Sequence, residues 1–124
     1  MSALSPDTLP EQDLGPALER SGALDDYTVD WVTLREDSDL TEMLKGLPDD
    51  RCQCPHWGVL NSGRITVKYA DRTEVLEPGD AFYMAPGHVP AAIAGSTFVQ
   101  FSPTAPYQET LEAIEANVRR LRGL

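Results

Sequence analysis

The stretch Cys52-Gln53-Cys54-Pro55-His56-Trp57-Gly58-Val59-Leu60-Asn61-Ser62-Gly63 brings both cysteines of the chain together with one of its two histidines. On an extended backbone successive side chains alternate between faces, so Cys52, Cys54 and His56 would all point the same way. Pro55 would point the other way, which suits an edge or the start of a strand. Two thiols and an imidazole on one face make a soft-donor cluster of the kind that binds a transition metal. A disulfide between Cys52 and Cys54 is disfavoured, because within a strand the two Cβ vectors run parallel where a disulfide needs them to converge.

The elements that must present these donors are mostly short strands. Residues 1 to about 26 read as an N-terminal arm rich in Pro and acids, with a weak helical patch around Leu14, Ala17 and Leu18. Tyr27 to Arg35 is rich in β-branched and aromatic residues and reads as a first strand. Asp39 to Gly46 reads as a short helix, capped by Asp39 and ended by Gly46 and Pro48. Strands then recur over Cys52 to Leu60, Arg64 to Ala70, Thr73 to Leu76 and Ala81 to Ala85, separated by turns such as Asn61-Ser62-Gly63 and Glu77-Pro78-Gly79-Asp80. Val89 to Ala94 and Thr97 to Ser102 read as a hairpin about Gly95. Many short strands with turns between them predict an antiparallel sandwich or barrel. In the tail, Tyr107, Leu111, Ile114, Val118 and Leu121 form one apolar stripe at helical spacing. Glu109, Glu112 and Glu115 come early and Arg119, Arg120 and Arg122 late, as the helix dipole favours. This helix is expected to pack on the barrel or against a second subunit.

Bulk properties narrow the function classes. A chain of 124 residues suits one domain with one core, and 41% hydrophobic with 24% charged residues is an ordinary globular composition. A formal net charge of -10 disfavours nucleic acid and anionic membrane surfaces as partners. The first residues lack the basic and apolar regions of a signal peptide, and no apolar run approaches the ~20 residues that span a bilayer. A cytoplasmic protein with reduced cysteines is the expectation.

Residues 52 to about 102 resemble the cupin superfamily of small β-barrels. His56-Trp57-Gly58-Val59-Leu60-Asn61-Ser62-Gly63 is similar to the end of the first cupin motif, in which a Glu precedes a Gly by seven positions. Pro78-Gly79-Asp80-Ala81-Phe82-Tyr83-Met84-Ala85-Pro86-Gly87-His88 is similar to the second: a Gly-Asp turn, a strand, and a Pro/Gly turn ahead of a His. The resemblance implies an all-β, antiparallel jelly-roll barrel over residues 27–105, flanked by the arm (1–26) and a C-terminal helix (106–124), and often a homodimer. Metal-binding cupins commonly use two His, a Glu and a later His. Here Asp50 falls at the first His, Cys52 at the second and His56 at the Glu. Pro90 falls at the last His, or Ala91 with a one-residue gap. His88, two residues before Pro90, would reach the same interior if the turn is tight. The resemblance thus points to a Cys/His variant of the motif, with Cys52, Cys54, His56 and His88 as donors.

Such a donor set suits a divalent transition metal: zinc, iron, nickel or copper. All four as ligands would give a closed site. Three of them, for instance Cys52, His56 and His88, would leave an open position for water or substrate, with Cys54 a neighbour or a redox-sensitive thiol. The competing reading is a decayed motif, with cysteines packed as small hydrophobes and histidines hydrogen-bonded in the core. That both Cys and both His map to one interior region favours the metal. Phe82, Met84, Phe98 and Gln100 are expected to line the pocket, the first three chiefly by apolar packing and Gln100 by orienting a ligand. Trp57 and Tyr83 should face outward. Glu77 and Asp80 belong to a turn, and Ser62 and Ser96 lack the partners of a serine hydrolase. The expected activity is Lewis-acid or oxygen chemistry on a small organic metabolite. The alternatives are a non-catalytic ligand- or metal-sensing barrel and a metal-free binding or assembly module.

Overall fold

The structure is a computed structural model and describes residues 3–123. Among these, ten strands precede one long helix: β1 (Glu11–Asp13), β2 (Ala17–Leu24), β3 (Tyr27–Leu34), β4 (Ser38–Asp39), β5 (His56–Ser62), β6 (Ile65–Lys68), β7 (Thr73–Leu76), β8 (Ala81–Met84), β9 (Val89–Ala92), β10 (Thr97–Pro103) and α1 (Thr104–Leu121). They form a six-stranded sheet, β1-β2-β3-β10-β5-β8, and a four-stranded one, β4-β9-β6-β7. Every pairing is antiparallel. Strand alternation sends Leu60, Ile65, Val67, Phe82 and Met84 inward, where they pack with Tyr69 as the core between the sheets. Phe98 packs against that cluster, and Trp57 and Tyr83 face outward, 41% and 50% exposed. The architecture is an all-β antiparallel jelly roll with a C-terminal helix.

Four local expectations are corrected. The arm is shorter than expected: residues 11–13 and 17–24 are strands, and β2 pairs with β3 along its full length. Leu18, Glu19 and Arg20 carry no intrinsic strand preference, and the pairing with β3 overrides their local tendency. The remaining arm drapes over the outer face of β2, where Gly22 leaves room for Leu4 and Leu9 and the Arg20 guanidinium donates to the carbonyls of Leu9 (2.7 Å) and Pro6 (3.2 Å). Second, residues 41–46 are consecutive turns and not a helix, although Asp39 does cap, accepting from the Thr41 amide at 2.9 Å. Third, β9 and β10 are no hairpin: β9 pairs with β6 and β4, while β10 pairs with β3 and β5 in the other sheet. Fourth, the cysteine strand begins only at His56.

The crossing between sheets is held by Gly63 and the buried Ser96, whose hydroxyl accepts from the Arg64 amide and donates to the Arg64 carbonyl. Gly63 has φ +85°, and a Cβ there would lie 2.2 Å from Ser96 Oγ and 2.5 Å from Ser96 Cα. Gly63→Ala is therefore expected to cost about 2–4 kcal/mol, from a left-handed backbone plus overpacking, read as a lower urea midpoint at unchanged slope.

The first half of the apolar stripe of α1 is spent on its own chain, while Leu121 at its end stays exposed. Tyr107, Leu111 and Ile114 pack on a second cluster with Leu40, Leu44, Leu47, Cys52, Cys54 and Val89. Asn117 fastens the helix to the 41–46 turns, its amide donating to the carbonyls of Met43 and Lys45, each at 2.8 Å. The helix thereby covers the end of the sandwich where the cysteines sit. Among the described residues no helix is long and apolar enough to cross a membrane.

Candidate metal centre

Two loops meet just before β5 and β9. The Cys52 amide donates to the His88 carbonyl (3.0 Å), and the amides of Gly87 (2.8 Å) and His88 (3.3 Å) both donate to the Cys52 carbonyl. This clamp ties the tight Pro86-Gly87 turn to the cysteine loop. At the first position of β5, His56 lies opposite Met84 of β8. The outcome is that Cys52, His56 and His88, all buried, bring one donor atom each within 4.8 Å of one another. They are the one such group of three among the described residues. Cys52 Sγ is 3.6 Å from His56 Nε2, and the two imidazole rings meet edge-on with centroids 5.0 Å apart.

The histidines are oriented from behind. His88 Nδ1 donates to the Ala85 carbonyl at 2.6 Å; a carbonyl only accepts, so the proton is on Nδ1 and Nε2 presents a bare lone pair. That Nε2 is fully buried and has no hydrogen-bond partner. His56 Nδ1 sits 2.6 Å from the buried Ser102 hydroxyl, and with Nδ1–H donating there, Nε2 faces the Cys52 sulfur as an acceptor. Metal-binding histidines are held in this way, one ring nitrogen bonded to an outer partner and the other free. From above, α1 places the Thr110 hydroxyl 3.4 Å from Cys52 Sγ and the Tyr107 ring against His56, centroids 5.8 Å apart.

Burial decides the protonation states. It presses His56 down to about 3, helped by the neighbouring His88, and lowers His88 against the opposing pull of the Ala85 carbonyl. Both rings are neutral at physiological pH, as ligation requires. Burial raises the Cys52 thiol, with the Thr110 hydroxyl partly offsetting it, and raises Cys54 to about 12 by burial and then by the charge of Cys52.

Cys54 does not join the group of three. Strand alternation does not apply to residues 52–55, because Cys52 makes a lone bridge to His88 and Pro55 has no amide to continue a ladder. Cys54 is buried in the second cluster with its Sγ toward the carbonyls of Pro55 (3.4 Å) and Pro103 (3.9 Å). Of the expected pocket residues, Phe82 and Met84 are core, Phe98 packs beside them, and Gln100 is half-buried on the inward face, opposite Gly58 and Asp30. Ser102, Thr110 and Tyr107 were not singled out as site residues. Ser102 shares the parity of Gln100, and Thr110 is a polar residue beside the apolar stripe of α1; both signals are visible in the sequence.

The donor chemistry fits a transition metal. One sulfur and two imidazole nitrogens are soft-to-borderline ligands, and an orphaned buried Nε2 carries an unmet cost of about 1–3 kcal/mol that a bound cation would remove.

Neither a family model nor a curated protein sequence matches this chain. Solved structures do. An RmlC-like cupin from Shewanella frigidimarina superposes with a TM-score of 0.56 at 15% identity, covering 80% of this chain and 87% of that one. The polyketide cyclase RemF from Streptomyces resistomycificus gives 0.58 at 13% identity, covering 84% and 80%. An oxalate decarboxylase from Bacillus subtilis gives 0.60 at 12% identity, covering 81% of this chain and 28% of that longer one. At such identities the likeness shows the fold, and the fold is that of a cupin.

Proposed function

We propose that this cupin-fold chain holds a divalent transition metal between Cys52 Sγ, His56 Nε2 and His88 Nε2 and acts with it on a small organic metabolite. The observation that carries the reading is the buried, unpartnered His88 Nε2, aimed among two further donors by the proton that Nδ1 gives to Ala85. Zinc suits the set best, and iron, nickel and copper also accept thiolate with imidazole. A bound metal of this kind supplies Lewis-acid or oxygen-activating chemistry. The chain's own residues do the rest. Ser102 and the Ala85 carbonyl fix the imidazoles, Tyr107 and Thr110 exclude water, and Gln100 on the inward face orients the metabolite.

One observation favours a second, non-catalytic reading. Tyr107 and Thr110 belong to one helix and lean on His56 and Cys52, so metal occupancy would be transmitted to α1, as a sensor requires. Elemental analysis of protein purified without added metal tests the shared claim: near-stoichiometric transition metal supports it, and none overturns it. Azide or cyanide binding to the metal-loaded protein then marks an open coordination position and the enzyme; no binding marks the sensor. We further place the protein in the cytoplasm, where its two unpaired thiols stay reduced. We also propose a homodimer formed through the outer aromatic row of Tyr27, Phe101, Trp57 and Tyr83, each at least 39% exposed.

A further inference from the structure

The inward face of the six-stranded sheet carries a second polar cluster, built on two carboxyls, Glu19 and Asp30, that the metal centre does not use. Asp30 of β3 lies in register between Ser21 of β2 and Gln100 of β10, and Glu19 stands two residues before Ser21 on the same face. Asp30 is fully buried, and neither of its carboxylate oxygens has a hydrogen-bond partner. The hydroxyls of Ser21 and Tyr107 and the Gln100 amide lie around it and ease its ionisation, but none reaches full hydrogen-bond geometry with either oxygen. None of the ion pairs among the described residues reaches Glu19 or Asp30. Arg20, the nearest cation along β2, points to the opposite face and is bound to arm carbonyls.

Two carboxyls of like charge are thus set together, half-buried and buried, with no cation. Burial raises both, Glu19 to about 7 with the charge of Asp30 adding to it. Holding such a pair without a counter-charge is costly, and a cationic ligand removes the cost. The surroundings select the kind of cation. Magnesium and calcium ask for six or more oxygens and, for magnesium, retained waters. This cluster instead offers two carboxyls, an amide and hydroxyls beside the ring of Tyr107, which suits an alkylammonium group with an apolar stem.

We propose that Glu19, Asp30, Gln100 and Tyr107 form a subsite for the ammonium group of a small organic amine. Tyr107 joins this subsite to the donor cluster, its hydroxyl beside Asp30 and its ring against His56. An amine anchored here directs the remainder of the molecule toward Cys52, His56 and His88. That last step rests on the metal reading above; binding of the ammonium group does not.

Calorimetric titration of the protein at pH 8 with n-butylamine and with n-butanol tests the subsite. The amine is expected to bind at least tenfold more tightly than the alcohol. Asp30→Asn should weaken the amine tenfold or more, and the half-buried Glu19→Gln, which leaves the core intact, several-fold. Circular dichroism checks that both variants are folded. Amine affinity within twofold of the parent is expected in Cys52→Ser, which separates this subsite from the metal. Equal affinity for amine and alcohol, affinity unchanged by Glu19→Gln, or displacement of the amine by millimolar calcium chloride would overturn the proposal.

Discussion

His88→Ala is expected to leave purified protein with less than a tenth of the parent's metal, and Cys52→Ala to do the same. Removing an outer partner of a ligand commonly costs 10–100-fold in metal affinity, and removing one of only three ligands costs more. Ser102→Ala, which keeps His56 but frees its Nδ1, is therefore expected to fall between, with affinity about 10–100-fold lower. Cys54→Ala should keep its metal, because the Cys54 sulfur faces the carbonyls of Pro55 and Pro103 and stands outside the group of three. Elemental analysis after identical purification reads all four variants. Equal metal in the parent, His88→Ala and Cys52→Ala would remove both residues from the site.

Metal binding should release one proton between pH 7 and 8, and affinity should rise tenfold per pH unit. The sign follows from the three donors. Burial lowers both histidines, His56 to about 3, so the imidazoles enter this range already neutral and release nothing. Burial raises the Cys52 thiol from its ordinary value of 9.0, so it enters protonated and must lose that proton to ligate. Titration calorimetry in buffers of different ionisation enthalpy counts the protons. It is done in Glu19→Gln, since the Glu19 carboxyl titrates at about 7 and would respond to a nearby cation. Two protons would make Cys54 a ligand; none would exclude sulfur.

What could be read in the sequence was decided by how local its cause is. The strands over 56–62, 65–68 and 81–84 were legible because alternation of Leu60, Ile65, Val67, Phe82 and Met84 is a local signature of a one-sided core. The stripe of α1 was legible for the same reason. β2 was not, because Leu18-Glu19-Arg20 becomes a strand only through its partner β3. The hairpin expected about Gly95 failed because consecutive antiparallel-looking strands do not reveal that they lie in different sheets; Gly63 touching Ser96 makes that crossing, and the contact is remote in sequence. In the site, the donor types pointed to Cys52, His56 and His88, whereas the side-chain parity that included Cys54 assumed a strand that Pro55 and the His88 bridge prevent. Asp30 gave no signal at all. A single Asp in an alternating strand reads as solvent-facing, and its burial depends on a helix returning some eighty residues later to set Tyr107 over it.

X-ray absorption at the zinc edge of zinc-loaded protein examines the centre most directly. A shell holding one sulfur at about 2.3 Å and two imidazole nitrogens at about 2.0–2.1 Å is the predicted result, with the sulfur lost in Cys52→Ser. A shell of nitrogen and oxygen alone, or a sulfur that survives Cys52→Ser, would contradict it.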